Sequence, residues 1–352
     1  MDDMMVFSTL FNSGYLDKGL ALLQSLRETA GKNFRLYVVA FDDKCYDILS
    51  QFVDDNLIVI SLEEFETPTL LKVKQTRTEQ EYCWTCSCHT IKYVIETYEE
   101  SQCTYIDADM YFYQNPQILF DEIERSGCDV SIIEHGFVPC KENQRLMRFS
   151  GKYCVEFNTF FATENGMNIL NWWCERCIEC CTSKADGIFL GDQKYLEDWL
   201  ERFNGVHVLQ NAGAGIAPWN LARYRYVGRK DNDIMLEDKL NGERFLIVFY
   251  HYQMMKYYAA NTVDIGVSLY PWRVSCKLRD AVYVEYLKIL KKYRNIVREE
   301  HDFDMDSELG FSDKFSYVEL MATMIKGAES PGIALQRVCR LIFRKRNDVM
   351  KI

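Results

Sequence analysis

Thr104-Tyr105-Ile106-Asp107-Ala108-Asp109-Met110-Tyr111-Phe112 is the stretch that decides how this chain reads. An apolar run, Cys103 to Ile106, ends in two aspartates one residue apart, with Tyr113-Gln114-Asn115-Pro116 following. On a strand, residues i and i+2 share a face. Both carboxylates are therefore expected at one point where the strand exits. Two hard oxygen donors suit Mg²⁺ or Mn²⁺, and those cations suit a diphosphate.

Upstream, strand and helix signals alternate. Met5–Leu10, Phe34–Phe41 and Asn56–Ser61 read as strands; Leu16–Thr29, Lys44–Val53 and Cys83–Glu99 read as helices. Such alternation predicts a parallel sheet with helices on both faces, and ligands outside the carboxyl ends of its strands. Downstream, Asp129–Glu134 and Glu156–Phe161 read as strands joined by a long polar connection. Met167–Cys181 and Gln193–Arg202 read as helices, and His207–Gln210 and Phe245–Tyr250 as short strands. Beyond Pro271 the pattern is helical, over Val282–Arg298 and Tyr317–Lys326.

A formal charge of -11 argues against nucleic acid as a partner. No run approaches the roughly 18 apolar residues of a membrane span. The acidic start, Met1-Asp2-Asp3, shows no signal peptide, so a cytoplasmic location is expected. Two Cys-x-x-Cys pairs, Cys83/Cys86 and Cys177/Cys180, occur among 14 cysteines. Cys174, Cys177 and Cys181 stand at i, i+3 and i+7 beside Trp172 and Trp173, the spacing of one helix face. Buried thiols that pack as small hydrophobes are expected, ahead of a thiolate metal centre. The C-terminal stretch Leu335–Ile352 carries Arg337, Arg340 and Arg344 on one helical face. It reads as a terminal helix that either packs on the protein or touches an anionic membrane surface.

The order of these segments resembles the retaining GT-A nucleotide-sugar glycosyltransferases of the glycogenin and lipopolysaccharide galactosyltransferase type. The resemblance spans roughly Met5 to Lys256. It implies an α/β, Rossmann-like fold with a mixed, mostly parallel central sheet. The catalytic domain would cover 1–270, with a nucleotide half to about 116 and an acceptor half after it, and 271–352 would be a helical extension. Asp107 and Asp109 match the family's metal ligands, and His251, in His251-Tyr252-Gln253, its third. Phe157-Asn158-Thr159 matches the strand whose asparagine faces the donor sugar. Gly191-Asp192-Gln193 matches the segment whose aspartate and glutamine lie against the anomeric carbon. Asn158, Asp192 and Gln193 are thereby the implied catalytic residues. Thr9, Asn12, Tyr15, Asp42, Lys92, Ala108 and Lys256 are the implied contacts to the nucleotide and diphosphate.

The resemblance further implies Mn²⁺ or Mg²⁺, a UDP-sugar donor and transfer of a hexose to a saccharide, lipid-linked or free, in surface glycan synthesis. Four positions depart from the pattern. Leu10 stands where the family's base-reading aspartate falls, Thr90 where an arginine often precedes Lys92 by two residues, Lys194 where a second acidic residue follows Gln193, and Met254 where the glycine of the late histidine motif falls. A sugar nucleotidyltransferase shares the fold and metal logic and is the alternative. It would carry a glycine-rich basic loop that Phe11-Asn12-Ser13-Gly14-Tyr15 does not provide. A cysteine-ligated metal protein is the alternative from a different class.

Overall fold

The computed structural model describes residues 4–138, 141–183, 191–259, 262–267, 270, 274–305 and 349–351. Its first half follows the alternation in the sequence. β1 (Met5–Phe11), α1 (Leu16–Ala30), β2 (Phe34–Ala40), α2 (Asp43–Leu49) and β3 (Leu57–Ile60) lead through short helices α3 (Leu62–Phe65) and α4 (Pro68–Lys74) into α5 (Glu79–Tyr98) and β4 (Gln102–Ile106). Then come β5 (Met110–Phe112), α6 (Gln117–Ser126), β6 (Val130–Glu134), α7 (Lys141–Ser150), β7 (Tyr153–Phe161), α8 (Glu164–Glu179), α9 (Trp199–Arg202) and β8 (Val206–Val208). Strands β9 (Tyr224–Lys230), β10 (Asp233–Asp238), β11 (Arg244–Leu246), β12 (Phe249–His251), β13 (Lys256–Ala259) and β14 (Thr262–Asp264) follow, with α10 (Cys276–His301) and β15 (Val349–Lys351) last.

The central sheet has the order β3-β2-β1-β4-β7-β6-β8. Its pairs are parallel from β3 to β4, antiparallel at β4–β7 and β7–β6, and parallel again at β6–β8. Two apolar layers cover it. Phe7, Phe11, Ile106 and Phe157 face α1, while Val6, Tyr105 and Phe160 face α5 and α8. At roughly 25 cal/mol per Å² of apolar area removed from water, these layers supply the main drive to fold.

Phe245–Tyr250, one continuous apolar run, divides between β11 and β12, which belong to different sheets. The backbone changes partner between them: Ile247 N–H donates to Ile234 and Val248 N–H to Gly213. A Cβ on Gly213 would lie 2.1 Å from the Leu246 carbonyl oxygen, so only glycine permits this crossing. The polar connection expected before β7 contains α7, and a β9–β10 hairpin precedes β11, neither marked by apolar periodicity. Gln193–Arg202 is a 3₁₀ segment followed by the single turn of α9.

The expected helix at 335–352 does not reach the end of the chain. Val349–Lys351 instead form β15, antiparallel to β14. Residues 335–348, with the arginine face, and the expected helix at 317–326 lie outside the described residues. No described helix is long and apolar enough to cross a membrane.

α10 packs on α1 and β9. A tyrosine network joins it to the middle of the chain: Tyr250 and Tyr283 hydroxyls bond at 2.8 Å, and Tyr252 stacks on Tyr286 at 3.5 Å between ring centres. Tyr252 also bonds the Tyr113 hydroxyl and the Val282 carbonyl. These bonds clamp β12, and with it His251, against β5.

Candidate functional site

β4 ends at Ile106, so the two aspartates do not share a strand face. Asp107 to Met110 form a turn instead, closed by Met110 N–H to the Asp107 carbonyl at 3.1 Å. The turn brings the carboxylates together, and tertiary pairing brings the imidazole to them. β12 runs antiparallel to β5 with His251 opposite Met110, and Tyr252 N–H donates to the Asp109 carbonyl at 2.8 Å. His251 Nε2 thereby lies 3.1 Å from Asp109 Oδ1 and 3.5 Å from Asp107 Oδ2.

Its other nitrogen, Nδ1, lies 2.6 Å from Oε2 of Glu156, a fully buried carboxylate on β7. The edge of the Trp219 ring packs on the His251 ring with centroids 5.3 Å apart. Trp219 is buried and spends its N–H on the His135 carbonyl, a packing role.

Electrostatics follow from crowding. Burial pushes the Asp107 carboxyl well up, the His251 charge opposes that, and the Asp109 charge adds to it. Burial acts on Asp109 in the same sense, but His251 and Lys18 overcome it and hold Asp109 below the usual carboxylate range. His251 is raised despite burial, chiefly by Asp109. The carboxylates therefore favour a proton on His251, and a cation at Nε2 would take the place of that proton.

The donor set fits a hard divalent cation. Asp107, Asp109 and His251 each offer one ligand atom, all within 4.8 Å of one another. Two carboxylate oxygens plus one imidazole suit Mn²⁺ or Mg²⁺, and a carboxylate behind the far ring nitrogen is the usual orienting partner of a ligating histidine.

Lys18, in the first turn of α1, is buried with Nζ 3.8 Å from Asp109 Oδ2. Gly19 lets α1 press onto β1 here: a Cβ would meet the Phe11 ring at 2.1 Å. Neither Lys18 nor Glu156 was singled out from the sequence. Lys18 stands in a mixed polar-apolar helix turn, and Glu156 lies inside β7, whose pleat is legible only once paired.

Asp192 is buried and makes no capping bond to the segment after it. Its carboxylate accepts from Ser87 Oγ on α5, and its carbonyl accepts from Trp173 Nε1 at 3.1 Å. Burial raises its carboxyl to about 6. Gly191 before it has φ +57°, the left-handed region that glycine adopts without strain. Asn158 lies opposite Tyr105, whose hydroxyl donates to Asp107 Oδ1 at 2.9 Å. Asn158 is wholly buried, yet neither its amide oxygen nor its amide nitrogen finds a partner among the described residues. Buried amides are rarely left so, and each orphaned group costs about 1–3 kcal/mol.

The remaining candidates separate. Ala108 sits within the aspartate turn. Gln193 donates to the Ser150 carbonyl at 2.7 Å. Asn12 donates to Glu79 at 2.8 Å, and Tyr15 is 42% exposed above Lys18. Thr9 is buried in β1 with its hydroxyl unpartnered among the described residues. Asp42 caps α2 and accepts from Ser13 N–H and Oγ at 2.8 and 2.9 Å, stitching the loop after β1 to the loop after β2. Lys92 is not brought to the carboxylates. It bonds Asn171 on α8 at 2.7 Å and pairs with Glu96. Lys256 is exposed on β13.

Met254, standing where the resemblance calls for glycine, has φ +68°. The left-handed turn is retained without the residue that favours it. Cys86, Cys88, Cys174 and Cys177 are buried in the apolar layer between the sheet, α5 and α8. Burial pushes the Cys88, Cys174 and Cys177 thiols well up. Cys88, His89 and Cys174 do approach one another. However, His89 Nδ1 is already 2.9 Å from the Thr85 carbonyl.

No family model matches the chain. The uncharacterized protein YfnD of Bacillus subtilis (strain 168) is 30% identical over 253 residues, which cover 70% of this chain and 76% of YfnD. The chain belongs to the YfnD family. YfnF of the same organism, also uncharacterized, is 30% identical over 263 residues, 73% of this chain and 84% of YfnF. Among solved structures, the galactosyltransferase LgtC in complex with donor and acceptor sugar analogues is similar to this YfnD-family chain. The TM-score is 0.50 at 12% identity, over 82% of this chain and 96% of LgtC. The YfnD-family fold is thus the GT-A fold, with the carboxylate–imidazole cluster at the carboxyl edge of its parallel strands.

Proposed function

We propose that the protein is a metal-dependent glycosyltransferase moving a hexose from a UDP-sugar to a saccharide acceptor, with retention at the anomeric carbon. The observation that carries this reading is the convergence of Asp107, Asp109 and His251 within 4.8 Å, in a GT-A fold. Bound Mn²⁺ or Mg²⁺ would neutralise the charge that develops on the leaving diphosphate.

The chain's own residues supply the rest. Glu156 holds the His251 ring so that Nε2 faces Asp107 and Asp109. Asn158 offers an unpaired amide on the Tyr105 side of the sheet, suited to sugar hydroxyls. Asp192, tethered by Ser87 rather than spent as a cap, is free to act on the oxocarbenium-like sugar or the incoming hydroxyl. Gln193 is a poor nucleophile and is engaged by Ser150, which favours attack from the leaving-group face over a covalent intermediate. A lipid-linked saccharide at the cytoplasmic membrane face, in surface glycan synthesis, is the acceptor we favour. The catalytic unit spans 1–270, and α10 supports it from the extension.

Titrating a panel of nucleotides and UDP-sugars with and without Mn²⁺ tests this reading. Wild-type protein should bind UDP in a Mn²⁺-dependent way, and Asp109→Asn should lose that binding with its melting temperature little changed. Equal UDP and Mn²⁺ binding by the two proteins would defeat the assignment.

A further inference from the structure

Lys18 is an unusual lysine. It is 3% exposed and within 4 Å of a single carboxylate among the described residues, Asp109. That contact, 3.8 Å, is too long for a hydrogen bond. An ammonium taken out of water is costly unless it is paired and hydrogen-bonded. Apart from that long ion pair, the ammonium rests on Tyr15, an exposed aromatic residue.

Asp17, its neighbour in sequence, is spoken for elsewhere. Tyr257 and Arg294 donate to its Oδ2. Over Lys18 lies the Tyr15 ring, 3.8 Å from Nζ to its centre and itself 42% exposed. Turning one exposed ring would uncover the ammonium.

Charge points the same way. Asp107 and Asp109 converge on one point, with Glu156 behind the far nitrogen of His251, and a diphosphate would add to that negative charge. One divalent cation does not balance it. The amino end of α1, where Lys18 sits, contributes the positive pole of a 15-residue helix.

We propose that Lys18 is a binding residue for the donor diphosphate, reaching it past the second carboxylate oxygen of Asp109 once the Tyr15 ring turns. Asp109 then stands between two positive groups, with Oδ1 toward His251 and the cation site and Oδ2 toward Lys18. This rests on the donor reading above and extends it to a residue outside the aspartate turn and the histidine strand. Tyr15 thus covers the ammonium while the site is empty and gives it up to the diphosphate when its ring turns.

Calorimetric titration of UDP and of uridine, at saturating Mn²⁺, tests the proposal on wild type, Lys18→Met and Lys18→Arg. Lys18→Met should weaken UDP binding ~10–100-fold, the loss expected for a hydrogen bond to a charged group. Uridine, which has no phosphate, should change by less than ~2-fold on the same scale. Lys18→Arg should recover most of the UDP affinity, because it restores the charge. Unchanged UDP binding by Lys18→Met would overturn the proposal, as would parallel losses of UDP and uridine, which mark a residue that only shapes the pocket.

Should Lys18→Met fail to fold, Lys18→Gln takes its place: a loss of UDP affinity that spares uridine supports the proposal, and unchanged UDP binding or parallel loss of both ligands overturns it. Wild-type protein without any Mn²⁺-dependent UDP binding would remove the donor reading and this proposal together. Wild-type binding that the Lys18 variants leave untouched removes this proposal only.

Discussion

His251 Nδ1 lies 2.6 Å from Glu156 Oε2, joining residues 95 apart in sequence through a bond buried from solvent at both ends. The bond fixes the imidazole ring so that Nε2 faces Asp109 and Asp107 and cannot rotate away. Removing an orienting partner of a ligating histidine typically costs about 10–100-fold in metal affinity. Glu156→Gln should therefore weaken Mn²⁺ binding by about that factor with the fold retained. Paramagnetic titration of Mn²⁺ checks it, and wild-type affinity in the variant would mean that Glu156 is only a packing residue.

Asp192 should make the protein less stable at neutral pH than an amide would. Burial raises its carboxyl from 3.8 to about 6. A raised acid contributes stability below about 3.8 that is lost as pH climbs through about 6. At pH 7.5 the ionised, buried carboxylate costs up to about 3 kcal/mol, taking 1.36 kcal/mol per pH unit. Asp192→Asn should gain stability at pH 7.5, keep little of that gain near pH 4, and lose turnover by orders of magnitude. Urea unfolding at both pH values, with turnover at the higher one, separates the cases. A gain independent of pH, or normal turnover, would count against a buried reactive carboxylate.

Met254 holds a left-handed conformation, φ +68°, with its side chain 38% exposed. That conformation costs a non-glycine residue about 1–2 kcal/mol, while glycine brings back part of the cost as unfolded-state entropy. Met254→Gly should stabilise the protein by about 0.5–1 kcal/mol with UDP binding intact. Destabilisation in a urea titration would show that the Met254 side chain contributes more than its exposure indicates.

The thiols between α5 and α8 should behave as core. Purified protein is expected to carry less than one tightly held zinc per chain, and Cys177→Ala should lower stability by about 1–2 kcal/mol without changing metal content. Stoichiometric zinc released only on thiol alkylation would instead make Cys88, His89 and Cys174 a metal centre.

Sequence alone determined the strands β1 to β4 and the helices α1, α2 and α5 between them, though not the short α3 and α4, because apolar periodicity over whole elements encodes which face is buried. It also picked out Asp107 and Asp109, as two carboxylates at i and i+2, while Asn158, Asp192 and His251 were implied by the resemblance to the GT-A glycosyltransferases. Tertiary structure decided how they meet. The aspartates converge through a turn closed by Met110, not through a shared pleat, because β4 stops at Ile106. His251 arrives through antiparallel pairing of β12 with β5, a register set across more than 130 residues by a tyrosine clamp from α10. Packing sets Lys18 beside Asp109 and Glu156 beside His251, and turns Lys92 to Asn171, for one reason. A side chain's neighbours across a sheet or between helices depend on register and packing, and local sequence carries neither.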